Sequence, residues 1–235
     1  MVKQTLNQAD PKGPTVPLQP LKQSYVRAMH GLGALPSLTR FSHEAGKARA
    51  YGWRRWAASL LAVYDTAGMV RLGVPWWNVA ATREVEAFLA TRTAPRIFEY
   101  GTGASTAWLA ERATEVFSVE HDAAFMAHFR PLLAPFPNVT LLDRPITHGK
   151  HDYVYAIEEL GGLFDLIVVD GRHRADCLQA ARRHLAPGGM ILFDDSGRSR
   201  YRPAIQASGL RERHFHGRSF CVPYPDHTSL LLPKA

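Results

Sequence analysis

The chain has 235 residues, a length that one domain with an appendage accommodates, because single domains run to roughly 250 residues. Its hydrophobic fraction of 46% and charged fraction of 21% are ordinary for a globular protein and exclude a disordered chain. Lysine and arginine exceed the acidic residues by 28 − 21, which gives a net charge of +7. A basic surface attracts nucleic acid, anionic lipid or an acidic small substrate, or is simply a solvated face.

The cysteines and the apolar segments of the sequence indicate the cellular compartment of the protein. Cys177 and Cys221 have no metal-ligand spacing, and a reducing setting is the default for a chain with so few cysteines. No apolar stretch reaches the roughly 20 residues that span a bilayer. Residues 1–20 contain no apolar signal core of roughly 7–15 residues. We therefore expect a cytoplasmic protein without a membrane span.

The first part of the chain divides into a tail and a helical region. Residues 1–20 contain four prolines and few large apolar groups, which predicts a flexible tail. Residues 21–94 have mainly helical composition, which predicts a helical N-terminal extension, or lid, on the domain that follows. Trp76 and Trp77 are adjacent in this region. They either pack it onto the main domain or form a wall over a pocket.

From Arg96 the pattern alternates between apolar strands and helices, and we place the main domain at residues 95–235. Continuous apolar strands indicate burial on both faces, and the helices between them imply parallel crossovers. Among the predicted helices are residues 153–160 and RADCLQAARRHLAPGG, which its proline and glycines end. The pattern predicts a doubly wound α/β sheet. The predicted strands are RIFEYG, EVFSVEHD, NVTLLDR, FDLIVVDG and MILFDD, followed by a terminal pair in LRERHFHG and HTSLLLP.

The first of these strands ends in Glu99-Tyr100-Gly101-Thr102-Gly103. Glycine has no β-carbon, so it permits both a sharp turn and the close approach of a ligand. The helix N-terminus beyond the turn favours an anionic group. Glu120 ends the second strand, 21 positions after Glu99. An acid about 20 residues on accepts hydrogen bonds from ribose hydroxyls in Rossmann-like units, so a nucleotide-type ligand is predicted.

The residues after the glycines decide between nucleotides. Dinucleotide proteins usually have a third glycine here, whereas Gly103 is followed by Ala104-Ser105-Thr106. The sequence also lacks the G-x-x-x-x-G-K-[ST] loop that binds nucleoside triphosphates. The Glu99 carboxylate would repel a pyrophosphate but could hold the ammonium of an amino acid. A ligand with both a ribose and an amino-acid end is S-adenosylmethionine.

Several segments resemble one known family in the same order. EYGTGAST resembles the first motif, E/D-x-G-x-G, of class I S-adenosylmethionine-dependent methyltransferases. FSVEHD is similar to the acidic loop after the second strand of that family. FDLIVVDG and HLAPGGMILFDD are similar to its fourth strand, its proline-glycine turn and its fifth strand. The resemblance covers residues 96–196 and is specific for fold and cofactor rather than for substrate.

The resemblance implies a Rossmann-like fold with a mostly parallel, seven-stranded sheet, and S-adenosylmethionine as the cofactor. Glu99 and the two glycines would surround its methionine part, and Ser105 would bind its carboxylate. Glu120 would bind the ribose, with His121 beside the adenosine. Asp143 would lie near the adenine amine, unless it is a surface turn residue. The implied cofactor-binding residues are Glu99, Tyr100, Gly101, Gly103, Ser105, Glu120, His121 and Asp143.

Methyl transfer to oxygen needs an aligned acceptor and the removal of its proton. The resemblance places Asp170 at the carboxyl end of the fourth strand, facing the reactive methyl. His173 titrates near neutrality, so it is either the general base or a solvated histidine that opens a helix. Arg172 or Arg174 could bind an anionic group of the acceptor.

A metal site is the second possibility at this edge of the sheet. Asp170, Asp194 and Asp195 end the fourth and fifth strands, and grouped carboxylates bind divalent cations such as Mg²⁺. The arrangement resembles metal-dependent O-methyltransferases, of which the sugar-modifying members have Asp-Asp on the fifth strand. Small-molecule members commonly have Asp-Asn there. Alternatively, one of the aspartates caps the following turn.

We expect the acceptor to be a hydroxyl of a small molecule or saccharide. No N/D-P-P-Y/F sequence follows the fourth strand, and base-stacking aromatic segments are not evident beside the arginines, so nucleic acid is not favoured. We expect His214, His216 and His227 to be strand and loop residues, although His214 and His216 would share one face of a strand, where they could line a pocket or form a weak metal pair. The alternatives to a methyltransferase are an NAD-dependent oxidoreductase and a non-catalytic Rossmann-like binding module.

Overall fold

The computed structural model describes residues 18–234 of the chain. The greater part of the predicted tail, residues 1–17, lies outside this range. The first helix, α1, begins at Leu18, which is inside the predicted tail by three residues. Within the described residues, no helix combines the length and the apolar character that crossing a bilayer requires.

The centre of the molecule is one seven-stranded sheet. Its strands are β1 (Arg96–Tyr100), β2 (Glu115–Glu120), β3 (Val139–Asp143), β4 (Phe164–Val169), β5 (Leu185–Asp194), β6 (Arg211–Arg218) and β7 (Pro225–Leu232). They lie in the order β3-β2-β1-β4-β5-β7-β6. The first five are parallel, while β7 runs antiparallel between β5 and β6. The prediction of a mostly parallel α/β sheet with a terminal strand pair is therefore confirmed.

Apolar residues on both faces of the central strands explain this layered arrangement. Ile97 and Phe98 follow each other on β1, and both are fully buried. Ile97 belongs to a core cluster with Trp108 and Val168 on one face, whereas Phe98 belongs to a cluster with Leu178 on the other. Alternate residues of a strand point to opposite faces, so a strand with helices on both sides needs apolar residues throughout.

The helices that follow the strands cover those two faces. They are α6 (Ala104–Ala110), α7 (Ala123–Leu133), α8 (His151–Val154), α9 (Arg174–Ala181) and α10 (Arg202–Ala207). The helix predicted at 153–160 is instead the short α8 and a 3₁₀ turn at Ala156–Leu160. The helix predicted through LAPGG ends at Ala181, and β5 already begins at Leu185. Leu185 pairs with Phe164, so the proline-glycine turn is a bulge within the strand and not the end of the helix.

In the part of the chain that the structure describes, five helices precede the sheet. They are α1 (Leu18–Gly33), α2 (Pro36–Lys47), α3 (Trp53–Leu61), α4 (Thr66–Leu72) and α5 (Val79–Leu89). Their apolar side chains form a third cluster, which includes Met69 and Leu72 and extends to Phe220, between β6 and β7. The Trp56 indole also donates a hydrogen bond to the Ser219 carbonyl at 2.8 Å. These helices are thereby fixed beside the carboxyl end of the sheet.

The two adjacent tryptophans have different environments. Trp77 is fully buried, and its ring packs edge-on against Trp108 with a centroid distance of 5.9 Å. Trp76 is half-buried and packs edge-on against Tyr64 at 4.7 Å. Of the two tryptophans, Trp77 therefore has the role of packing the helical region onto the main domain.

We expect Trp77→Ala to lower the free energy of unfolding by about 3–5 kcal/mol, because it leaves a large cavity in a close-packed core. Trp76→Ala is the matched control, and its expected loss is less than half as large because part of this ring is already in contact with water. Urea denaturation followed by circular dichroism measures both values. Equal losses for the two variants would contradict the packing described above.

Candidate functional site

A cavity of about 790 Å³ opens at the carboxyl ends of β1, β2, β4 and β5. This is the edge at which open α/β sheets bind ligands. One end of the cavity lies over the glycine loop after β1, and is lined by Gly101, Gly103, Ser105, Glu120 and His121. The other end lies between the N-terminal helices and the β6–β7 hairpin, and is lined by Lys22, Tyr64, Trp76, Tyr224 and His227. The second role considered for the tryptophans, a pocket wall, is therefore taken by Trp76.

The glycine loop passes very close to the loop that follows β4. Gly101 has a φ of +98°, a conformation that favours glycine. A β-carbon on Gly101 would lie 2.8 Å from the α-carbon of Gly171, so a larger residue would push the two loops apart. The Gly103 amide donates to the Thr106 hydroxyl at 3.0 Å, which caps the start of α6. The sequence thus predicted the turn correctly, and the contact with Gly171 adds a second reason for glycine.

Glu99 lies behind this loop and not in the cavity. Its carboxylate is fully buried and accepts hydrogen bonds from the hydroxyls of Ser105 at 2.5 Å and Ser118 at 2.8 Å, and from Thr106. Burial raises the pKa of Glu99 to about 7, although the three hydroxyl donors oppose that shift. The prediction that Glu99 contacts a ligand ammonium is therefore wrong. Its carboxylate does not face the cavity and instead supports the glycine loop from the inner side.

Two other predicted cofactor residues also lie outside the cavity. The Tyr100 ring is fully buried in the core, and its hydroxyl donates to the Val154 carbonyl at 2.8 Å. Asp143 ends β3, pairs in register with Glu120 and is exposed to solvent. Tyr100 points away because alternate side chains of β1 face opposite sides of the sheet. Asp143 lies on β3, one strand farther from the cavity than Glu120. It occupies an exposed surface position, which was the alternative to a role in cofactor binding.

Glu120, by contrast, lines the cavity at the place predicted for it. Its carboxylate is 4% exposed and accepts hydrogen bonds from the backbone amides of Thr102 at 3.2 Å, His121 at 2.8 Å and Asp122 at 2.9 Å. The His121 imidazole Nδ1 is also 2.6 Å from Oε1. Oε2 accepts only the Thr102 amide, so it keeps one acceptor position for a ligand. Two of the amides donate to one carboxylate oxygen and the third donates to the other, which fixes the orientation of the Glu120 carboxylate.

The three aspartates predicted as metal ligands do lie together, but they surround an arginine. The Arg174 guanidinium is 2.9 Å from Asp170, 3.1 Å from Asp195 and 3.6 Å from Asp194. It also donates to the backbone carbonyls of Asp170 at 3.0 Å and Asp194 at 2.7 Å. Within residues 18–234, no group of three or more His, Cys, Asp and Glu side chains is placed to hold a metal ion.

Burial changes the protonation of this acidic group. It raises the pKa of Asp170 to about 6, with Arg174 opposing the shift and Asp195 adding to it. Burial together with the neighbouring carboxylates also raises the pKa of Asp194 well above its usual value. Asp170 accepts a hydrogen bond from the Trp77 indole at 3.0 Å, and Asp194 accepts one from the Thr228 hydroxyl at 2.7 Å. The cluster thus connects the sheet with the helical region and with β7.

His173, the predicted general base, lies outside the cavity. It is exposed at the start of α9 with a φ of +50°, which turns the chain sharply between β4 and the helix. Burial lowers the pKa of His173, while Asp176 opposes that effect. The solvated position that was the alternative for this residue is therefore the observed one. Arg174, the next residue, is the side chain that turns inward.

Except for Trp76, sequence reasoning missed the residues at the second end of the cavity. Tyr64, Trp76 and Tyr224 come from three separate parts of the chain, and no motif connects them. His227 was one of several late histidines without an assigned role, and it is the one that lines the cavity. Its partner His214 belongs to the opposite strand of the hairpin, so only the strand register could have related them.

The sheet order, the glycine loop after β1 and the acid that ends β2 define a Rossmann-like nucleotide-binding domain. Residues 98–196 match a family model described as a methyltransferase domain. Residues 98–196 therefore form a methyltransferase domain, as the motifs predicted. No curated protein is significantly similar to the chain in sequence.

Solved structures of several methyltransferases are similar to the chain. A methyltransferase-like protein from Silicibacter pomeroyi is 26% identical, covers 64% of this chain and 86% of its own, and has a TM-score of 0.49. The N-methyltransferase NodS from Bradyrhizobium japonicum, in complex with S-adenosyl-L-homocysteine, is 15% identical with coverages of 66% and 86% and a TM-score of 0.46. An rRNA methylase from Streptococcus thermophilus is 13% identical with coverages of 65% and 95% and a TM-score of 0.48.

The raised pKa of Glu99 predicts a pH-dependent component of stability. The unfolded chain releases this proton near pH 4.5 and the folded protein near pH 7, so the folded state binds more protons between these values. The contribution of Glu99 is therefore complete below about pH 4.5 and is lost as the pH rises through about 7, by on the order of 3 kcal/mol. Glu99→Gln should remove this component. Urea denaturation across this range measures it, and identical pH profiles for the variant and the wild type would contradict the assignment.

Proposed function

We propose that this protein transfers a methyl group from S-adenosylmethionine to an oxygen atom of a small-molecule or saccharide acceptor. The observation that carries the proposal is the single cavity of about 790 Å³, which joins the glycine loop to an aromatic-walled end. Asp170, Arg174 and Asp194 line the cavity between these two ends. Cofactor and acceptor would therefore meet at the carboxyl ends of β4 and β5.

At the glycine-loop end, Glu120 would accept hydrogen bonds from the ribose hydroxyls, with His121 beside the adenosine. Gly101 and Gly103 would let the methionine part approach the backbone. Ser105 donates its hydroxyl proton to Glu99, so its oxygen is left as an acceptor. We therefore assign Ser105 to the cofactor's ammonium and not to its carboxylate. S-adenosylmethionine, when bound, would supply an activated methyl group on a sulfonium.

At the other end, aromatic rings would hold the acceptor. Trp76 and Tyr64 form an edge-on pair, and the Lys22 ammonium lies 4.9 Å from the centre of the Tyr64 ring. Tyr224 lines the same space from the hairpin. Rigid aromatic rings suit the flat or apolar face of a small ring compound or a sugar. Alignment of such an acceptor with the methyl group can contribute on the order of 7–11 kcal/mol to catalysis.

The charges around the acceptor end favour a small molecule over nucleic acid. Asp195 and Asp226 both line the cavity there, and their carboxylates would repel a phosphate backbone. Arg198, which also lines it, is 2.8 Å from Asp195 and is therefore partly neutralised. Lys22 is the second basic residue that lines this end, so two basic and two acidic side chains face it and give it no excess of positive charge.

We propose further that Arg174 takes the place a divalent cation would have among the three aspartates. The side chains of Arg174 and of the three aspartates are each at most 20% exposed, and the guanidinium already contacts all three carboxylates. A divalent cation needs those same oxygens, so the residues present do not fit a metal site.

We expect the unfolding temperature and the S-adenosylhomocysteine affinity to be the same in EDTA as in millimolar Mg²⁺. A resident cation would stabilise the folded protein by mass action, so its removal would lower the unfolding temperature by several degrees, roughly 5–10 °C for a tightly held ion. Differential scanning calorimetry and titration calorimetry measure the two quantities. A Mg²⁺-dependent rise in either would show that the aspartates do bind metal.

The cofactor assignment is tested by thermal unfolding with S-adenosylhomocysteine, S-adenosylmethionine and NAD in parallel. A ligand at about 100 times its dissociation constant stabilises by roughly 2.7 kcal/mol, which is roughly 5–10 °C for a domain of this size. We expect the shift with the adenosyl ligands alone. We also expect Glu120→Gln to weaken S-adenosylhomocysteine about tenfold or more, because hydrogen bonds to a charged acceptor are worth roughly 1.5–3 kcal/mol.

Asp143→Asn is the control for Glu120→Gln, since Asp143 ends the neighbouring strand but is exposed outside the cavity. Its S-adenosylhomocysteine affinity, measured by titration calorimetry, should equal that of the wild type. A stabilising shift with NAD alone would contradict the methyltransferase proposal. An unchanged affinity in Glu120→Gln would contradict the ribose assignment only.

A further inference from the structure

The β6–β7 hairpin brings three histidines together at the acceptor end of the cavity. The His216 ring stacks on the His227 ring with a centroid distance of 4.1 Å and an interplanar angle of 10°. His214 Nε2 is 2.9 Å from His227 Nδ1. Of the three, His227 lines the cavity. It also precedes Thr228, whose hydroxyl donates to Asp194, so it lies beside the carboxylate cluster between the two ends of the cavity.

Glu212 decides which groups donate and which accept in the hydrogen bonds behind His227. Arg202 donates to both carboxylate oxygens of Glu212 at 2.7 Å, and this pair lowers the pKa of Glu212 to about 2. An ionised carboxylate can only accept hydrogen bonds. Ser229 Oγ is 2.6 Å from Glu212 Oε1 and 2.8 Å from Ser196 Oγ. The ionised carboxylate is the stronger acceptor, so it takes the single hydroxyl proton of Ser229, and Ser196 donates to Ser229. One lone pair of Ser229 Oγ is then available to a second donor.

That donor is His214, whose Nδ1 is 3.0 Å from Ser229 Oγ. In a neutral imidazole one nitrogen carries the proton and the other accepts. With its proton on Nδ1, His214 accepts at Nε2, so the proton between the two rings belongs to His227 Nδ1. Nε2 of His227 is consequently a free lone pair, and it has no hydrogen-bond partner among the described residues. Glu212 thus sets the tautomer of His227 through Ser229 and His214.

Several charged groups face His227. His214 and His216 approach from β6, Asp226 precedes it on β7, and Asp195 approaches from the turn after β5. Burial lowers the pKa of His227, the two histidines lower it further, and the two aspartates oppose the shift. A histidine with a pKa below 6.5 is largely neutral at pH 7, which is the form that can accept a proton.

We propose that His227 is the general base that removes the proton from the acceptor hydroxyl, and that His214, Ser229 and Glu212 are positioning residues that fix its tautomer. The assignment rests on the proposed transfer to oxygen. The acceptor O–H bond breaks as its proton moves to His227 Nε2, and the freed electron pair forms the new O–CH₃ bond. The electrons of the S–CH₃ bond return to sulfur, and the released proton leaves His227 for water. The methylated acceptor and S-adenosylhomocysteine are the products.

The tautomer can be measured without an identified acceptor. In the full-length protein labelled with ¹⁵N-histidine, long-range ¹H–¹⁵N spectra distinguish the two neutral forms of each imidazole. We expect His227 in the Nδ1–H form with a pKa below 6.5, and we expect Ser229→Ala to mix its two tautomers. His227→Asn identifies the resonance. A wild-type His227 that carries its proton on Nε2 would overturn the proposal.

Turnover is measured with ³H-methyl S-adenosylmethionine and three hydroxyl probes: phenol, catechol and methyl α-glucoside. For a probe that is methylated, His227→Asn should lower kcat about 100-fold or more and remove the acidic limb of its pH profile. The S-adenosylhomocysteine affinity should stay within about twofold, which shows that the variant is folded and loaded. His173→Asn, an exposed histidine outside the cavity, is the matched control and should keep the wild-type rate.

The outcomes separate the two proposals. Methylation of a hydroxyl probe by His227→Asn at the wild-type rate would overturn the assignment of the base but leave the proposed function intact. Failure of the wild type to bind S-adenosylhomocysteine, or methylation of an aniline probe but of no hydroxyl, would overturn the proposed function. If none of the probes reacts, the ¹⁵N tautomer and pKa of His227 decide the assignment.

Discussion

The structure depends on the ion pairs between Arg174 and the aspartates that end β4 and β5. One guanidinium contacts three carboxyl groups that would otherwise repel one another, and the raised pKa values of Asp170 and Asp194 reduce the negative charge that it has to balance. Its contacts with the backbone carbonyls hold both strand ends at a fixed separation. Removing one partner of such a buried pair typically costs about 3–5 kcal/mol, because it leaves an uncompensated charge. The same carboxylates receive Trp77 from the helical region and Thr228 from β7. Helices, sheet and hairpin therefore meet at this point.

The cavity has two ends because the helices, the sheet and the hairpin meet at this acidic cluster. The parallel strands present backbone groups and Glu120 on one side, as any doubly wound sheet presents its loops at its carboxyl edge. The N-terminal helices and the hairpin supply the aromatic rings and His227 on the other side. The first side is built from short-range motifs, while the second is assembled from segments distant in sequence. This difference explains why the cofactor is easier to infer than the acceptor.

Three predicted residues show where sequence reasoning reaches its limit. Glu99 was expected to hold a ligand ammonium, yet three hydroxyls surround its carboxylate behind the loop. His173 was a candidate for the base or a solvated histidine, and the left-handed turn at this residue directs it to solvent. Asp194 was one of three candidate metal ligands, and it contacts Arg174. In each case the residue type was read correctly, and the direction of a side chain relative to its neighbours decided its role.

The sequence by itself determined the order of the strands from Arg96 onward, the glycine turn at Gly101 and the place of Glu120 at the end of β2. These features are local, because alternation, turn chemistry and strand ends depend on residues close together in the chain. Only the tertiary structure decided that Arg174 fills the acidic cluster and that Trp76 and Trp77 separate into a wall and a core residue. It alone joined His227 to His214, because the pairing of β6 with β7 sets their distance and the sequence spacing does not.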